Sequence, residues 1–101
     1  MLAQTPEPPY YAVIFASTRK EGDYSYSAMS AKMLELAKEQ PGFLGVDSAK
    51  ADIGITVSYW KDLASINLWR EHTEHKAAKE KGKADWYQNY TLRIAKVELM
   101  Y

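Results

Sequence analysis

Hydrophobic and polar positions recur along the chain with a pattern that predicts four strands. Residues 10–18, YYAVIFAST, are rich in β-formers and carry apolar side chains on both faces, which is typical of a central strand covered on both sides. Two short β-like runs follow at Phe43–Ala49 and Ile53–Trp60. The three residues between them, Lys50-Ala51-Asp52, suit a tight hairpin. Thr91–Met100 is predicted to be the last strand.

The last predicted strand changes its apolar phase. Leu92 and Ile94 lie on one phase, whereas Val97 and Leu99 lie on the other. Such a slip of one position predicts a β-bulge or a change of strand neighbour. A long strand that changes partner also suits a sheet shared between two subunits.

Two further segments have the period of amphipathic helices. The first has candidate caps at Asp23, Ser25 or Ser27 and ends at Pro41-Gly42. Its apolar stripe comprises Tyr26, Met29, Met33, Leu36 and Ala37. The second helix lies between the third and fourth strands, and we expect its apolar stripe to pack on the sheet. That stripe comprises Leu63, Ile66, Trp69, Thr73 and Ala77.

The element order β-α-β-β-α-β predicts an α+β, ferredoxin-like fold. In this fold a four-stranded antiparallel sheet carries both helices on one face. Residues 1–9 hold three prolines and no apolar period, so we expect an extended N-terminal arm before a single domain at 10–101. The second face of the sheet needs a cover, and face-to-face homodimerisation is the simplest one.

Composition narrows the class of protein. Thirteen Lys and Arg residues balance thirteen Asp and Glu residues, and there is no basic run. The charge distribution therefore does not favour binding to nucleic acid or to an anionic membrane. The absence of cysteine excludes disulfides, thiolate catalysis and iron–sulfur clusters. Without a signal peptide or a long apolar run, we expect a soluble cytoplasmic protein. Eight Tyr, three Trp and two Phe exceed the needs of one small core, so some should line a pocket or an interface.

The third strand offers a candidate pocket floor. Small and polar residues alternate with apolar ones there and lead to an indole at Trp60. The small face leaves room beside the sheet for a ligand. It comprises Gly54, Thr56, Ser58 and Trp60. The opposite face, expected to be core, comprises Ile53, Ile55, Val57 and Tyr59.

Both histidines lie on one flank of the second helix. His72 follows Trp69 by three residues, and His75 follows His72 by three, so these neighbours can touch. Imidazole titrates near neutrality and is the commonest protein ligand for metals. A catalytic zinc ion normally needs three protein ligands, and neither Glu71 nor Glu74 shares the histidines' side, so we expect no direct metal site. The alternative is that both histidines are exposed polar groups of the helix.

Several short motifs resemble, in order and spacing, those of the antibiotic biosynthesis monooxygenase (ABM) domain family. They are PGFLG at 41–45, SYW at 58–60, W-x-x-H-x-x-H at 69–75, WY at 86–87 and LRIAKVE at 92–98. The leader TPEPPYYAVIF at 5–15 is similar to one bacterial branch of the family. The resemblance covers nearly the whole chain. It implies a dimeric α+β barrel of two ferredoxin-like subunits, each with a pocket between its sheet and its helices.

The resemblance also implies a range of chemistry. The family includes cofactor-independent monooxygenases of phenolic polyketides, quinol oxidases, heme-degrading enzymes and members of unknown role. In the cofactor-independent members the ionised substrate reduces dioxygen, while the protein supplies orientation, desolvation and a proton acceptor. This implies a small aromatic substrate, dioxygen and no cofactor, with His75 as base or substrate anchor and His72 as a secondary polar contact. The candidate pocket residues are Trp60, Trp69, Trp86, Tyr87 and Tyr59.

Two other functions stay open on the sequence. The first is heme degradation, in which His75 would ligate the iron. Two departures disfavour it: Phe15 stands where such relatives carry an asparagine, and the spacing from Trp69 to His75 is shorter than theirs. The second is a non-catalytic small-molecule-binding or stress-response dimer, in which the tryptophans and tyrosines are core or interface residues.

Overall fold

The elements follow one another in the predicted α+β order. The computed structural model describes residues 2–18, 34–79 and 89–101, and within 73–79 and 89–90 it describes the backbone. The strands are β1 (Tyr10–Thr18), β2 (Phe43–Lys50), β3 (Gly54–Trp60) and β4 (Asn89–Val97). Helical residues 34–38 form α1, and Leu63–Lys79 form α2. Of the residues named above, those outside the described ranges are Asp23, Ser25, Tyr26, Ser27, Met29, Met33, Trp86 and Tyr87.

The four strands form one antiparallel sheet in the order β2-β3-β1-β4. β1 lies between β3 and β4, as its apolar residues on both faces predicted. Both helices pack on one face of the sheet, because Ala37 of α1 and Ile66 of α2 belong to the same buried cluster as Val13 of β1. The ferredoxin-like prediction is therefore confirmed. None of the helices in the described residues is long and apolar enough to cross a membrane.

Strand register assigns side chains to the two faces of the sheet. Across β1 and β3, Tyr11 pairs with Trp60 and Val13 pairs with Ser58. Paired residues share a face, and successive residues alternate between faces. We call the helix-covered face, with Val13 and Trp60, the inner face. The opposite one, with Tyr10 and Tyr59, is the outer face.

The expectation that the apolar phase of β3 forms the core is wrong. Ile55, expected in the core, lies on the outer face with 44% of its surface exposed. Ser58 and Trp60, on the small and polar phase, are buried under the helices. The alternation correctly separates two phases. It does not indicate which phase the helices cover, and here they cover the one that carries the bulky indole.

The predicted bulge in the last strand is also wrong. Pairing between β1 and β4 runs without a shift from Thr18↔Asn89 to Tyr10↔Val97. β4 ends at Val97, so Leu99 lies beyond the strand and its phase has no bearing on register. The register shift falls instead in β2, between Phe43 and Gly45.

The turn before β2 requires glycine. Gly42 has a φ of 89°, a left-handed conformation that favours glycine. A Cβ at this position would also collide with the side chain of Ser65 in α2. The Gly42 carbonyl accepts a 2.7 Å hydrogen bond from the Lys61 amide, which ties this turn to the end of β3. Pro41-Gly42 was predicted to stop the first helix, and α1 ends before it at residue 38.

A capping aspartate fixes the start of α2. Asp62 Oδ1 accepts a 2.8 Å hydrogen bond from the Ser65 amide, one of the donors left unpaired at a helix N-terminus. Hydrogen bonds from Ser65, from its side chain first and then its backbone, lower the pKa of Asp62. Because the cap directly follows β3, the first turns of α2 lie over the inner face beside Trp60.

Candidate functional site

Two of the predicted pocket residues meet on the inner face. The ring centroids of Trp60 and Trp69 are 5.3 Å apart, with an interplanar angle of 35°. Phe43 meets Trp60 edge to face at 5.4 Å. Trp60 is 0% exposed, whereas Trp69 retains 8% of its exposure. The structure thus places one strand tryptophan behind one helix tryptophan in a single aromatic cluster.

The buried indole of Trp60 has a polar partner on its own strand. Its Nε1 donates a 2.9 Å hydrogen bond to the hydroxyl of Ser58. Ser58 is itself buried, two positions along the same inner face. A buried polar group without such a bond would destabilise the fold. The hydroxyl therefore fixes the plane of Trp60 and, through ring contact, the position of Trp69.

The buried stripe of α2 differs from the expected stripe in the first turn of the helix. Ile66 and Trp69 are buried as predicted, but Leu63 is exposed and the expectation for it was wrong. Ser65 takes the buried place in the first turn, where it lies against Gly42 and bonds to Asp62. Local capping thus outweighs hydrophobicity at the start of this helix.

His72 lies on the flank of α2 rather than on its buried stripe. His72 is exposed, as is Leu68 on the same flank. His75 follows Leu68 by seven residues, about two helical turns, so its position falls on the strip that carries Leu68. The described residues bring Trp60 and Trp69 together, and the exposed His72 follows Trp69 by three residues on α2.

Tyr59 lies on the other side of the sheet from Trp60. Its ring meets Tyr10 edge to face at 5.8 Å on the outer face. Its hydroxyl donates a 2.8 Å hydrogen bond to Asp47 Oδ2. Burial, the bond to Asp47 and the charge of that carboxylate raise the pKa of Tyr59 to about 12. The side chain of Tyr59 therefore lies across the sheet from the Trp60–Trp69 contact.

Sequence reasoning missed the partners that hold these aromatic residues. Phe43 and Asp47 were not singled out, although Phe43 contacts Trp60 and Asp47 accepts a bond from Tyr59. Ser58 was named as a small residue of the pocket floor, and its bond to Trp60 was not foreseen. A charged residue within the apolar run FLGVDSA was the one available signal, since it suggests a partner for the carboxylate. In the part of the chain that the structure describes, no group of three or more His, Asp or Glu residues is placed to hold a metal ion.

Comparison with known sequences identifies the class of protein. Residues 9–81 match the profile of the family described as Antibiotic biosynthesis monooxygenase. The chain therefore belongs to the antibiotic biosynthesis monooxygenase family, as its motifs predicted. It is also 58% identical over 99 residues to YqjZ of Bacillus subtilis (strain 168), an uncharacterized protein. That match covers 96% of this chain and 87% of YqjZ.

Solved structures confirm the fold. SnoaB, a cofactor-independent oxygenase from Streptomyces nogalater, aligns with a TM-score of 0.72 at 10% identity over 92% of this chain and 97% of SnoaB. A protein of unknown function from Nitrosomonas europaea aligns with a TM-score of 0.68 at 19% identity. That alignment covers 95% of this chain and 94% of the other. At these identities the likeness establishes a shared architecture, and chemistry has to be argued from the site.

Proposed function

We propose that the protein is a cofactor-independent monooxygenase or quinol-type oxidase that acts on a small aromatic substrate. Membership of the antibiotic biosynthesis monooxygenase family supports an oxidative reaction. The observation that carries the proposal is the Trp60–Trp69 contact on the inner face. Indole faces attract other aromatic rings through offset or edge-to-face packing. A site built on them favours a flat, electron-rich ligand.

Within this proposal the two tryptophans have different roles. Trp69 retains 8% of its exposure and forms the wall that contacts the substrate. Trp60 is fully buried and holds Trp69 in place, with its own plane fixed by the bond to Ser58. A rigid support of this kind reduces the freedom lost when substrate binds. Tyr59 has no part in this site, because it lies on the outer face.

The proposed reaction needs an ionised substrate and a site from which water is excluded. Removal of a phenolic or enolic proton makes the ring electron-rich enough to transfer electrons to dioxygen. Oxidation of a ring methylene to a carbonyl then takes up one dioxygen and releases one water, whereas a quinol gives a quinone and hydrogen peroxide. The protein contributes orientation, an apolar environment and a proton acceptor. His75 is the proposed base or substrate anchor, and His72 a secondary polar contact.

The proposal also includes a homodimer formed through the outer faces. Ile55, near the start of β3, is 44% exposed, and its neighbours Ala16 on β1 and Ala49 on β2 share the outer face. Helices cover the inner face, so the outer face is where a second copy would bury apolar surface. Such burial is the main driving force for association.

Product analysis under oxygen-18 dioxygen tests the proposed reaction. The panel consists of simple phenols, naphthols and quinols, and mass spectrometry follows label in the product while a peroxide assay follows the reduced oxygen. Label in the product identifies a monooxygenase, and peroxide with quinone identifies a quinol oxidase. A hemin titration of the same protein is the control. A saturable Soret shift that His75→Ala abolishes would replace the proposal by heme chemistry.

A further inference from the structure

The N-terminal arm, residues 2–9, lies on the outer face of the sheet. The Ala3 amide donates a 2.8 Å hydrogen bond to Asp47 Oδ1 on β2. A Cβ built on Gly45 would lie 3.1 Å from the Cβ of Ala3 and 3.9 Å from Cγ2 of Thr5. The arm thus runs directly over the backbone of β2. The missing side chain at Gly45 provides the room for it.

Asp47 joins the arm to the sheet through both of its carboxylate oxygens. Oδ1 accepts the bond from the Ala3 amide, and Oδ2 accepts the 2.8 Å bond from the Tyr59 hydroxyl. Hydrogen bonds to an ionised acceptor are stronger than those between neutral groups. One carboxylate therefore holds the arm and β3 together, and its loss removes both bonds.

A second tie brings the two ends of the chain together. The Thr5 hydroxyl lies 3.0 Å from the Tyr10 hydroxyl and 3.4 Å from Met100 Sδ, and the Tyr10 hydroxyl is also 3.4 Å from that sulfur. Tyr10 is buried beneath this arrangement. The arm and Met100, three residues beyond the end of β4, thus close one end of the outer face, around Tyr10 and Tyr59. The other end, around Ile55, stays open.

We propose that the arm is an intramolecular cap that keeps the Tyr10–Tyr59 end of the outer face out of contacts between copies of this chain. Without the cap, the apolar rings of Tyr10 and Tyr59 would join the exposed surface around Ile55. A larger continuous apolar patch promotes association. The cap therefore limits self-association to the open end of the face. This inference rests on the arm contacts and is independent of the proposed oxidation.

Two substitutions release the arm by different routes. Asp47→Ala removes its main acceptor, and Gly45→Val places a branched side chain where Ala3 now lies. Asp52→Ala is the matched control, because it removes the same charge from an exposed turn after the same strand. None of these positions touches the Trp60–Trp69 cluster, so substrate oxidation by correctly folded variants reports separately on the proposed function.

The experiment combines amide exchange with sedimentation. NMR-detected hydrogen exchange follows the Ala3 amide, and sedimentation equilibrium follows association over a range of concentrations. In Asp47→Ala and Gly45→Val we expect the Ala3 amide to lose its protection and the self-association constant to rise by about tenfold or more. Asp52→Ala should match wild type in both. An Ala3 amide that stays protected, or a released arm with unchanged association, would overturn the proposal.

Discussion

Tyr59 shows how neighbouring groups set the chemistry of one residue. Its hydroxyl donates to the Asp47 carboxylate in a partly buried position on the outer face. Both burial and the nearby negative charge disfavour the phenolate. The pKa accordingly rises from 10.0 to about 12. The folded state thus binds this proton more tightly than the unfolded state does.

Stability should therefore depend on Tyr59 in the alkaline range. The stabilisation linked to the raised pKa of Tyr59 is fully present below the unfolded-state pKa of 10.0 and is lost as pH rises through about 12. We expect the difference in melting temperature between wild type and Tyr59→Phe to narrow over that window. Thermal unfolding followed by circular dichroism at a series of pH values measures it. If the melting temperatures of the two proteins changed in parallel with pH, Tyr59 would not be the source of the alkaline loss of stability.

The histidines give a second prediction at the scale of single residues. His75→Ala should abolish turnover of an aromatic substrate, because it removes the proposed base, while His72→Ala should reduce turnover less. The position of His75 on the strip of exposed Leu68 leads us to expect a nearly unchanged melting temperature. Dioxygen uptake and calorimetry on the same samples check both parts. A large loss of stability in His75→Ala would assign that histidine to structure instead.

Among the elements, α2 was predicted in part from sequence, and the limits of that prediction have physical causes. The spacing of Ile66 and Trp69 correctly identified the buried stripe, because the 3.6-residue period brings them to one face. Leu63 was misplaced because the Asp62 cap turns Ser65 inward. For β3 the two phases were found, but the apolar phase was wrongly expected to be the one that packs in the core. That choice depends on helix packing, which alternation along one strand does not encode.

The two sides of α2 supply a paired stability test. Ile66 is fully buried in the cluster with Trp60, whereas Leu68 is 56% exposed. Ile66→Ala should lower the free energy of unfolding by about 2–5 kcal/mol through lost burial and the cavity it leaves. Leu68→Ala should change it by less than about 0.5 kcal/mol. Urea unfolding of the two variants measures both values, and similar losses would mean that the helix is oriented differently.

At the scale of the whole molecule, the sheet separates two sets of aromatic residues. Trp60 and Trp69 meet under the helices, while Tyr10 and Tyr59 meet under the N-terminal arm. The family resemblance in the sequence predicted Trp60, Trp69 and Tyr59 together as pocket residues. Alternation along β3 already placed Tyr59 on the face opposite Trp60. Which face the helices cover and which the arm covers are long-range features that alternation does not encode.

The proposed homodimer can be tested by a charge on the open part of the outer face. Ile55→Glu places a carboxylate in the surface that two copies would share, so the dimer should dissociate at concentrations where wild type is associated. Burial of an unpaired charge strongly opposes association. Leu68→Glu is the control, since it adds the same charge to the exposed flank of α2. Sedimentation velocity compares the three proteins. Dissociation by Leu68→Glu alone would place the interface on the helices.

Dioxygen uptake, measured on protein freed of heme and treated with a metal chelator, decides whether the protein oxidises aromatic substrates without a cofactor. An oxygen electrode would follow uptake with each member of the phenol, naphthol and quinol panel. The proposal predicts saturable uptake with at least one of these substrates, at a rate that the chelator leaves unchanged. Uptake no faster than that of heat-denatured protein across the whole panel would contradict it, and the family fold would then serve binding without catalysis.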